Sequence, residues 1–206
     1  MARPEVTTSA RIIQGHSAPE WKEAFSRVEQ AGGDDVYFSR GYSLLYGQSG
    51  GQPEVFVFKA DNEVFVLPYI IKPIEPKVLD GEAFDFESAY GFGGPLATTQ
   101  NPDFTVKAWA HFRDICAERR ITAGFIRFHP LLDNWVFADA ATVNVVRDRQ
   151  VVVISLEKDP SEVWREYAPD VRNKVRKGEK LGVTVRATTG IDALIAFSRL
   201  YEEHME

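Results

Sequence analysis

The N-terminal part of the chain begins with a short apolar run and continues with two segments whose apolar residues recur at helical spacing. Residues 11–14 predict a strand. Ser17 and Glu20 form the Ser-x-x-Glu pair of a capping box, in which each residue satisfies a free N–H group at the start of a helix. A second, short helix is predicted over residues 37–46, where aromatic residues and Leu recur every three or four positions.

Alternating and β-branched residues then predict strands. Residues 54–59 and 63–72 are rich in Val, Phe and Ile, and the Ala-Asp-Asn sequence between them has the composition of a turn, so a hairpin is predicted. Residues 84–90 predict a further strand, which runs into a loop with glycines at positions 91, 93 and 94. We call residues 88–95 the glycine loop. Grouped glycines allow sharp backbone turns and expose backbone N–H groups to a bound oxygen.

A longer helix follows the glycine loop. Asn101 is a good capping residue, and Pro102 suits the first helical position. The apolar face of this helix is predicted to contain Phe104, Ala108, Phe112, Ile115 and Cys116. Arg119 and Arg120 fall in the last turn, where positive charge complements the helix dipole. Three more strands are predicted at residues 122–129, 142–146 and 151–156.

From residue 151 the alternation of strand and helix starts again. Asp159 and Pro160 mark the start of a helix with a break near Pro169, and a strand at residues 183–187 and a helix at residues 191–204 follow. The whole pattern predicts an α/β protein with a mixed (α+β) sheet and helices on its faces. We expect two domains, residues 1–150 and residues 151–206.

The amino-acid composition restricts the classes of protein to which the chain can belong. The 206 residues are 44% hydrophobic and 26% charged, which is typical of a soluble globular protein, and the net charge of -6 argues against indiscriminate nucleic-acid binding. The N-terminus has no long apolar run, and no stretch reaches the ~18 apolar residues of a membrane span. A single cysteine fits a reducing compartment, so we expect a cytoplasmic protein. The four histidines are scattered, and no metal site is predicted.

Several motifs together resemble one family. They are YGFGGP at residues 90–95, GFIRFHP at 124–130, VVVISL at 151–156, W-x-x-Y at 164–167, RNKVRK at 172–177 and GVTV at 182–185. In this order they are similar to the Fem family of peptidoglycan-bridge aminoacyltransferases and to the related acyltransferases of the GNAT superfamily. The resemblance implies two tandem GNAT-like domains, of which the first is complete and the second is only begun in this chain.

The resemblance also implies an activity. It predicts a GNAT-like N-acyltransferase that moves an acyl or aminoacyl group to an amine in the metabolism of cell-wall or cell-envelope precursors. Acyl-CoA or an aminoacyl-tRNA would be the acyl donor, and no tightly bound cofactor is expected. The acceptor would be a small-molecule or nucleotide-linked substrate. Because an aminoacyl-tRNA is one possible donor, tRNA is a candidate partner. The alternative is a non-catalytic binding or assembly module with an incomplete second domain, for which a homo-oligomer or a missing C-terminal half would cover the exposed surface.

The glycine loop is the first candidate site. Tyr90, Gly93 and Gly94 would shape a substrate pocket, and backbone N–H groups of the loop would hold a phosphate or polarise a carbonyl. The other interpretation is a tight turn whose glycines only allow positive φ. The loop lacks the R/Q-x-x-G-x-G/A signature with which GNAT acetyltransferases hold the pyrophosphate of coenzyme A.

Arg127 is the second candidate. Its alternation with Phe125 and His129 places these three side chains on one face of a strand. We expect an ion pair with Asp85 or Glu87, because an arginine buried in a strand needs a carboxylate. The alternative is that Arg127 and His129 line a groove beside the glycine loop. No catalytic residue is assigned, although one of the two carboxylates could act as a general base.

Arg172 and Asn173 are the third candidates, because they open the RNKVRK stretch on which the family resemblance rests, in a segment with five positive charges in nine residues. This stretch would dock an anionic ligand such as coenzyme A, a nucleotide-linked precursor or tRNA. A solvated helix face is the other interpretation.

Overall fold

The computed structural model describes residues 7–48, 50–75 and 81–205. The chain divides into two compact units, residues 1–149 and residues 150–206. Strands and helices are combined in the first unit, whereas the described residues of the second unit form helices and irregular segments. The prediction of a mixed α/β protein is confirmed.

The first unit is built on a six-stranded mixed sheet. Its strands are β1 (Thr8–Gln14), β2 (Gln52–Ala60), β3 (Glu63–Pro73), β4 (Phe84–Glu87), β5 (Leu96–Ala97) and β6 (Ile121–Phe125). The order across the sheet is β1-β2-β3-β4-β6, with the short β5 paired to β3. All pairs are antiparallel except β4 and β6, which are parallel. The predicted hairpin is confirmed as β2 and β3.

Three helices cover the sheet: α1 (Ala18–Ser26), α2 (Arg40–Gly47) and α3 (Pro102–Glu118). Side chains of β2 alternate between two hydrophobic clusters, as the pleat of a strand requires. Phe56 belongs to the cluster that contains Phe112 of α3, and Val57 belongs to the cluster that contains Trp21 of α1. The sheet is therefore buried on both faces at its centre.

The starts of the helices agree only in part with the prediction. The Asn101 side chain accepts a hydrogen bond from the N–H of Asp103 at 3.0 Å, so the predicted cap of α3 is confirmed. The predicted capping box is wrong, because the Ser17 hydroxyl donates to the Glu20 carboxylate at 2.5 Å and makes no side-chain cap. The predicted helix at residues 37–46 is interrupted at Ser39, whose Oγ accepts from the N–H of Tyr42 at 3.2 Å and caps α2.

Several predicted strands are shorter or absent. β4 ends at Glu87 and β6 at Phe125, although the pattern predicted strands up to residues 90 and 129. The predicted strands at residues 142–146, 151–156 and 183–187 are wrong, because these segments carry no strand. Their β-branched composition favours an extended backbone, but a strand also needs a neighbour that takes up its N–H and C=O groups.

The described residues of the second unit, 150–205, contain three helices, α4 (Pro160–Glu166), α5 (Pro169–Lys180) and α6 (Ile191–Met205). The Asp159 carboxylate accepts from the N–H of Ser161 at 2.8 Å and caps α4 as predicted. The predicted break near Pro169 separates α4 from α5. Among residues 150–205 no residue is buried, so these helices depend on local signals within the described unit.

Candidate functional site

The glycine loop leaves the sheet where β4 and β6 stop pairing regularly. The N–H of Ser88 donates to the carbonyl of Phe125 at 2.9 Å, and the N–H of Gly93 donates to the carbonyl of Arg127 at 2.8 Å. Between these two bonds the loop advances by five residues, while the opposite segment advances by two. Residues 89–92 therefore bulge out of the sheet, and they present Tyr90 at the surface.

The glycines serve the conformation of this bulge. Gly91 and Gly94 have φ angles of +92° and +99°, which residues with a side chain rarely adopt. A Cβ atom on Gly94 would also approach Asn134 Nδ2 to 2.8 Å. Asn134 Nδ2 in turn donates to the carbonyl of Gly93 at 2.8 Å, and the Gly93 N–H is already bonded to Arg127. Gly94 thus suits a backbone conformation that disfavours a side chain, and both the N–H and the carbonyl of Gly93 are bonded within the protein.

Aromatic side chains from α2 and the preceding turn support the loop from one side. The ring of Tyr37 contacts those of Tyr42 at 5.1 Å and Phe92 at 5.4 Å, between centroids. The Tyr42 hydroxyl donates to the carbonyl of Tyr90 at 2.8 Å. Burial raises the pKa of Tyr42 well above its ordinary value. The hydroxyl therefore stays protonated and keeps its role as the donor to the loop.

Tyr90 and Arg127 meet at the surface of the bulge. Tyr90 is 69% exposed and stacks on Tyr46 with the ring centroids 5.8 Å apart. The guanidinium carbon of Arg127 lies 5.8 Å from the centroid of Tyr90 and 5.5 Å from that of Phe125. These are cation–π contacts, so the arginine is held by two exposed rings.

The predicted ion pair of Arg127 is wrong. Glu87 pairs with Lys72 on the neighbouring strand β3. In the part of the chain that the structure describes, the Arg127 side chain has neither a hydrogen bond nor a carboxylate partner beyond its two ring contacts. The physical reason is exposure: a solvated guanidinium does not need a carboxylate, whereas a buried one would.

His129 does not share the exposed surface with Arg127. It is only 4% exposed, and its Nδ1 accepts from the N–H of Leu131 at 3.2 Å. Nε2 therefore carries the proton and faces Asp35 Oδ2 at 3.6 Å. The imidazole is a buried support beneath the loop rather than a wall of a surface groove.

A narrow cleft lies under the loop. Its lining includes Tyr37, Ser43, Tyr69, Ser88 and Phe92, and it leaves no room for a water-sized sphere. The cleft itself is therefore too small to hold a ligand, and the exposed side chains of this region are Tyr90, Phe125 and Arg127.

Arg172 and Asn173 lie in α5 of the second unit. Asn173 accepts a hydrogen bond of 3.5 Å from Arg176, whose guanidinium carbon lies 5.7 Å from the ring centroid of Trp164. Nε of Arg172 is shielded from solvent and has no hydrogen-bond partner among the described residues. The structure brings Tyr90, Gly93, Gly94 and Arg127 together in the first unit, and it places the other two candidates in the second.

One polar network was not predicted. Arg119 donates two hydrogen bonds, of 2.6 and 2.8 Å, to the carboxylate of Glu54, which is 1% exposed and also accepts from Tyr69 at 2.8 Å and Gln14 at 2.9 Å. Burial by itself would raise the pKa of Glu54, but the hydrogen bonds from these three residues outweigh it and hold the pKa below its usual value. A glutamate in an apolar strand is a signal of such a network, although the sequence does not identify its partner.

Two further properties concern the described residues. They contain no cluster of three or more His, Cys, Asp or Glu side chains that could hold a metal ion. None of their helices combines the length and the apolar character needed to cross a bilayer.

Comparisons with known proteins identify no family. No protein-family model, no curated protein and no solved structure matches the chain. The resemblance to the Fem and GNAT acyltransferases therefore stays a prediction from sequence motifs.

Proposed function

We propose that the chain is a GNAT-like N-acyltransferase whose substrate binds at the glycine loop. The observation that carries the proposal is the bulge between β4 and α3, at the point where the parallel pair β4–β6 opens. A loop between the fourth strand and the next helix is where a GNAT fold keeps its cofactor loop. The order strand, two α-helices, four antiparallel-paired strands of which the last has only two residues, helix and parallel strand also supports a GNAT-like domain over residues 1–150.

The candidate residues then have different roles. Gly93 and Gly94 fix the path of the loop, and Tyr90 is the exposed side chain that this path presents. Arg127 offers unpaired N–H donors to the anionic part of a ligand. Arg172 and Asn173 would form a separate contact for an anion on α5 of the second unit, where Nε of Arg172 has no hydrogen-bond partner among the described residues.

The reaction would be direct acyl transfer. The amine of the acceptor attacks the carbonyl carbon of a thioester or ester and loses a proton to water. The C–S or C–O bond then breaks, and the departing thiolate or alkoxide takes up a proton from water and leaves as the free thiol or alcohol. Positioning would supply much of the acceleration, since it converts an encounter of two molecules into a reaction within one complex. The resemblance to the Fem family extends the proposal to cell-envelope precursors as acceptors and to acyl-CoA or aminoacyl-tRNA as donors.

Calorimetry tests this proposal. The full chain is titrated with coenzyme A, acetyl-CoA and a nucleotide-linked cell-wall precursor, at low and at physiological salt. We expect saturable binding of at least one of them, weaker at higher salt because the contacts are ionic. Arg127→Ala should reduce this binding, whereas Arg113→Ala removes an exposed arginine of α3 and should not. Absence of binding to all three ligands would contradict the transferase proposal.

A non-catalytic binding or assembly module is the second candidate. The observation that favours it is the second unit, in which no residue among 150–205 is buried and α6 exposes Phe197, Leu200 and Tyr201. Contiguous exposed apolar residues are typical of surfaces that bind another protein. Sedimentation that depends on protein concentration, together with no binding of the three ligands, would favour this candidate over the enzyme.

A further inference from the structure

The backbone of Arg127 is fixed from both sides. Its N–H donates to Ser88 Oγ at 3.0 Å, and its carbonyl accepts from the N–H of Gly93 at 2.8 Å. Its side chain is fixed as well, because the guanidinium contacts the rings of Tyr90 and Phe125. An arginine that is already positioned loses less conformational entropy when it binds a ligand.

The hydrogen-bonding capacity of this guanidinium is unused among the described residues. Two arginines elsewhere in the first unit are engaged: Arg119 binds the carboxylate of Glu54, and Arg40 binds the carbonyl of Gly15 at 2.6 Å. Glu87, an acid of the adjacent strand, is bonded to Lys72. An arginine held in place with unpaired donors is a receptor for an oxyanion, because its planar N–H groups match two oxygens of a carboxylate or phosphate.

We propose that Tyr90, Phe125 and Arg127 form a receptor for a carboxylate or phosphate group attached to an apolar skeleton. The oxyanion binds the guanidinium through two hydrogen bonds. The skeleton lies against Phe125, which is 58% exposed and belongs to the uncharged strand β6. This inference rests on the proposed function, since it names the group by which the substrate is held at the same site.

The test is an NMR titration of the full chain with four probes: acetate, benzoate, inorganic phosphate and phenyl phosphate. Each pair differs by an aromatic ring, and the two pairs differ in the oxyanion. We expect saturable shifts of the Gly93 and Phe125 signals, with the ring-bearing probe of each pair binding several-fold more tightly. The pair that binds more tightly identifies the oxyanion. No saturable shift with any probe below about 50 mM would overturn the proposal.

Variants separate the two parts of the receptor. Arg127→Ala should weaken the ring-bearing probes about ten-fold, and Arg127→Lys should recover only part of this loss, because an ammonium lacks the planar fork. Phe125→Ala should abolish the preference for the ring, and it should weaken acetate and phosphate less than the ring-bearing probes, because Tyr90 still contacts the guanidinium. Arg113→Ala is the matched control and should change nothing. Equal binding by Arg127→Ala and the unmodified chain would overturn the proposal.

The outcomes also separate this inference from the proposed function. Binding of the small anions without binding of coenzyme A, acetyl-CoA or the precursor would support the inferred anion receptor. It would contradict the proposed acyltransferase function. Binding of coenzyme A that does not depend on Arg127 would support the transferase and overturn the receptor.

Discussion

Residues 55–58 and residues 151–154 are both runs of four apolar residues rich in valine, but their environments in the structure are opposite. In the first run every residue is at most 1% exposed, because strands pair on both sides and helices cover both faces. In the second run Val152 is 94% exposed and no strand forms. A similar apolar composition thus forms a central strand only where neighbouring strands and covering helices are present. Whether a valine-rich segment forms a strand therefore depends more on its tertiary neighbours than on its own sequence.

The helices of the two units also differ in burial, although their caps are alike. The local start signals of α3 and α4 are alike, since Asn101 and Asp159 each accept from an N–H of the first turn. α3 buries Phe104, Ala108, Trp109 and Phe112, whereas no residue of α4 is buried. Caps define where a helix begins, and packing decides how much it contributes to stability.

The largest expected difference between the units comes from matched phenylalanine deletions. Phe112→Ala should lower the free energy of unfolding by about 3–5 kcal/mol, because it leaves a cavity in the first unit. Phe197→Ala, in α6, should change it by less than about 0.5 kcal/mol, because this side chain is 62% exposed. Urea unfolding of both variants measures the difference. Equal losses would show that α6 is packed and that the contrast between the units does not hold.

A smaller but still large effect is expected at the buried network. Glu54→Ala should cost about 3–5 kcal/mol, because it leaves Arg119 and Tyr69 without their acceptor. Glu23 forms ion pairs with Arg11 and Lys59 at the surface, and Glu23→Ala should cost at most about 1 kcal/mol. The same urea experiment applies. A cost for Glu54→Ala no greater than that for Glu23→Ala would contradict the role given to the network.

The network also predicts a pH dependence. Because folding lowers the pKa of Glu54, the folded state binds the proton less readily than the unfolded state. Its contribution to stability is present above the unfolded pKa and is lost as the pH falls through the folded pKa. Urea midpoints measured between pH 7 and pH 3 should fall less steeply for Glu54→Gln than for the unmodified chain. Parallel curves would argue against a lowered pKa.

The smallest expected effect concerns thiol reactivity. Burial raises the pKa of Cys116 to about 11, so little thiolate is present near neutral pH and alkylation of the folded chain should be slow. A cysteine introduced as Ala196→Cys in a Cys116→Ser background lies on the exposed helix α6 and should react at the rate of an unfolded control. Iodoacetamide labelling followed by mass spectrometry measures both rates. Similar rates in the folded state would remove this distinction between the units.

The sequence predicts well what is encoded within one element. The hairpin β2–β3 and the Asn101 cap could be predicted, because alternation and capping chemistry depend on residues a few positions apart. The bulge of the glycine loop could be located but not described. Its shape depends on bonds between Ser88 and Phe125 and between Gly93 and Arg127, and sequence spacing does not show which elements are neighbours.

The environment of Arg127 shows the same limit. The alternation placed it correctly near Phe125, but it could not show that Lys72 pairs with Glu87 and leaves the arginine to the two rings. The Glu54–Arg119 ion pair could likewise not be predicted, because its two residues are 65 positions apart in the chain. Contacts across elements are set by the tertiary fold, and these contacts decide which of the candidate residues can meet a ligand.

Hydrogen exchange with and without coenzyme A tests the central claim, that the first unit holds the core and carries the proposed ligand-binding surface. Without ligand, amides of β2 and β3 should exchange most slowly and those of residues 150–205 much faster. With coenzyme A, exchange should slow at residues 88–95 and 125–129. Slow exchange throughout residues 150–205, or ligand protection that spares residues 88–95 and 125–129, would contradict the account.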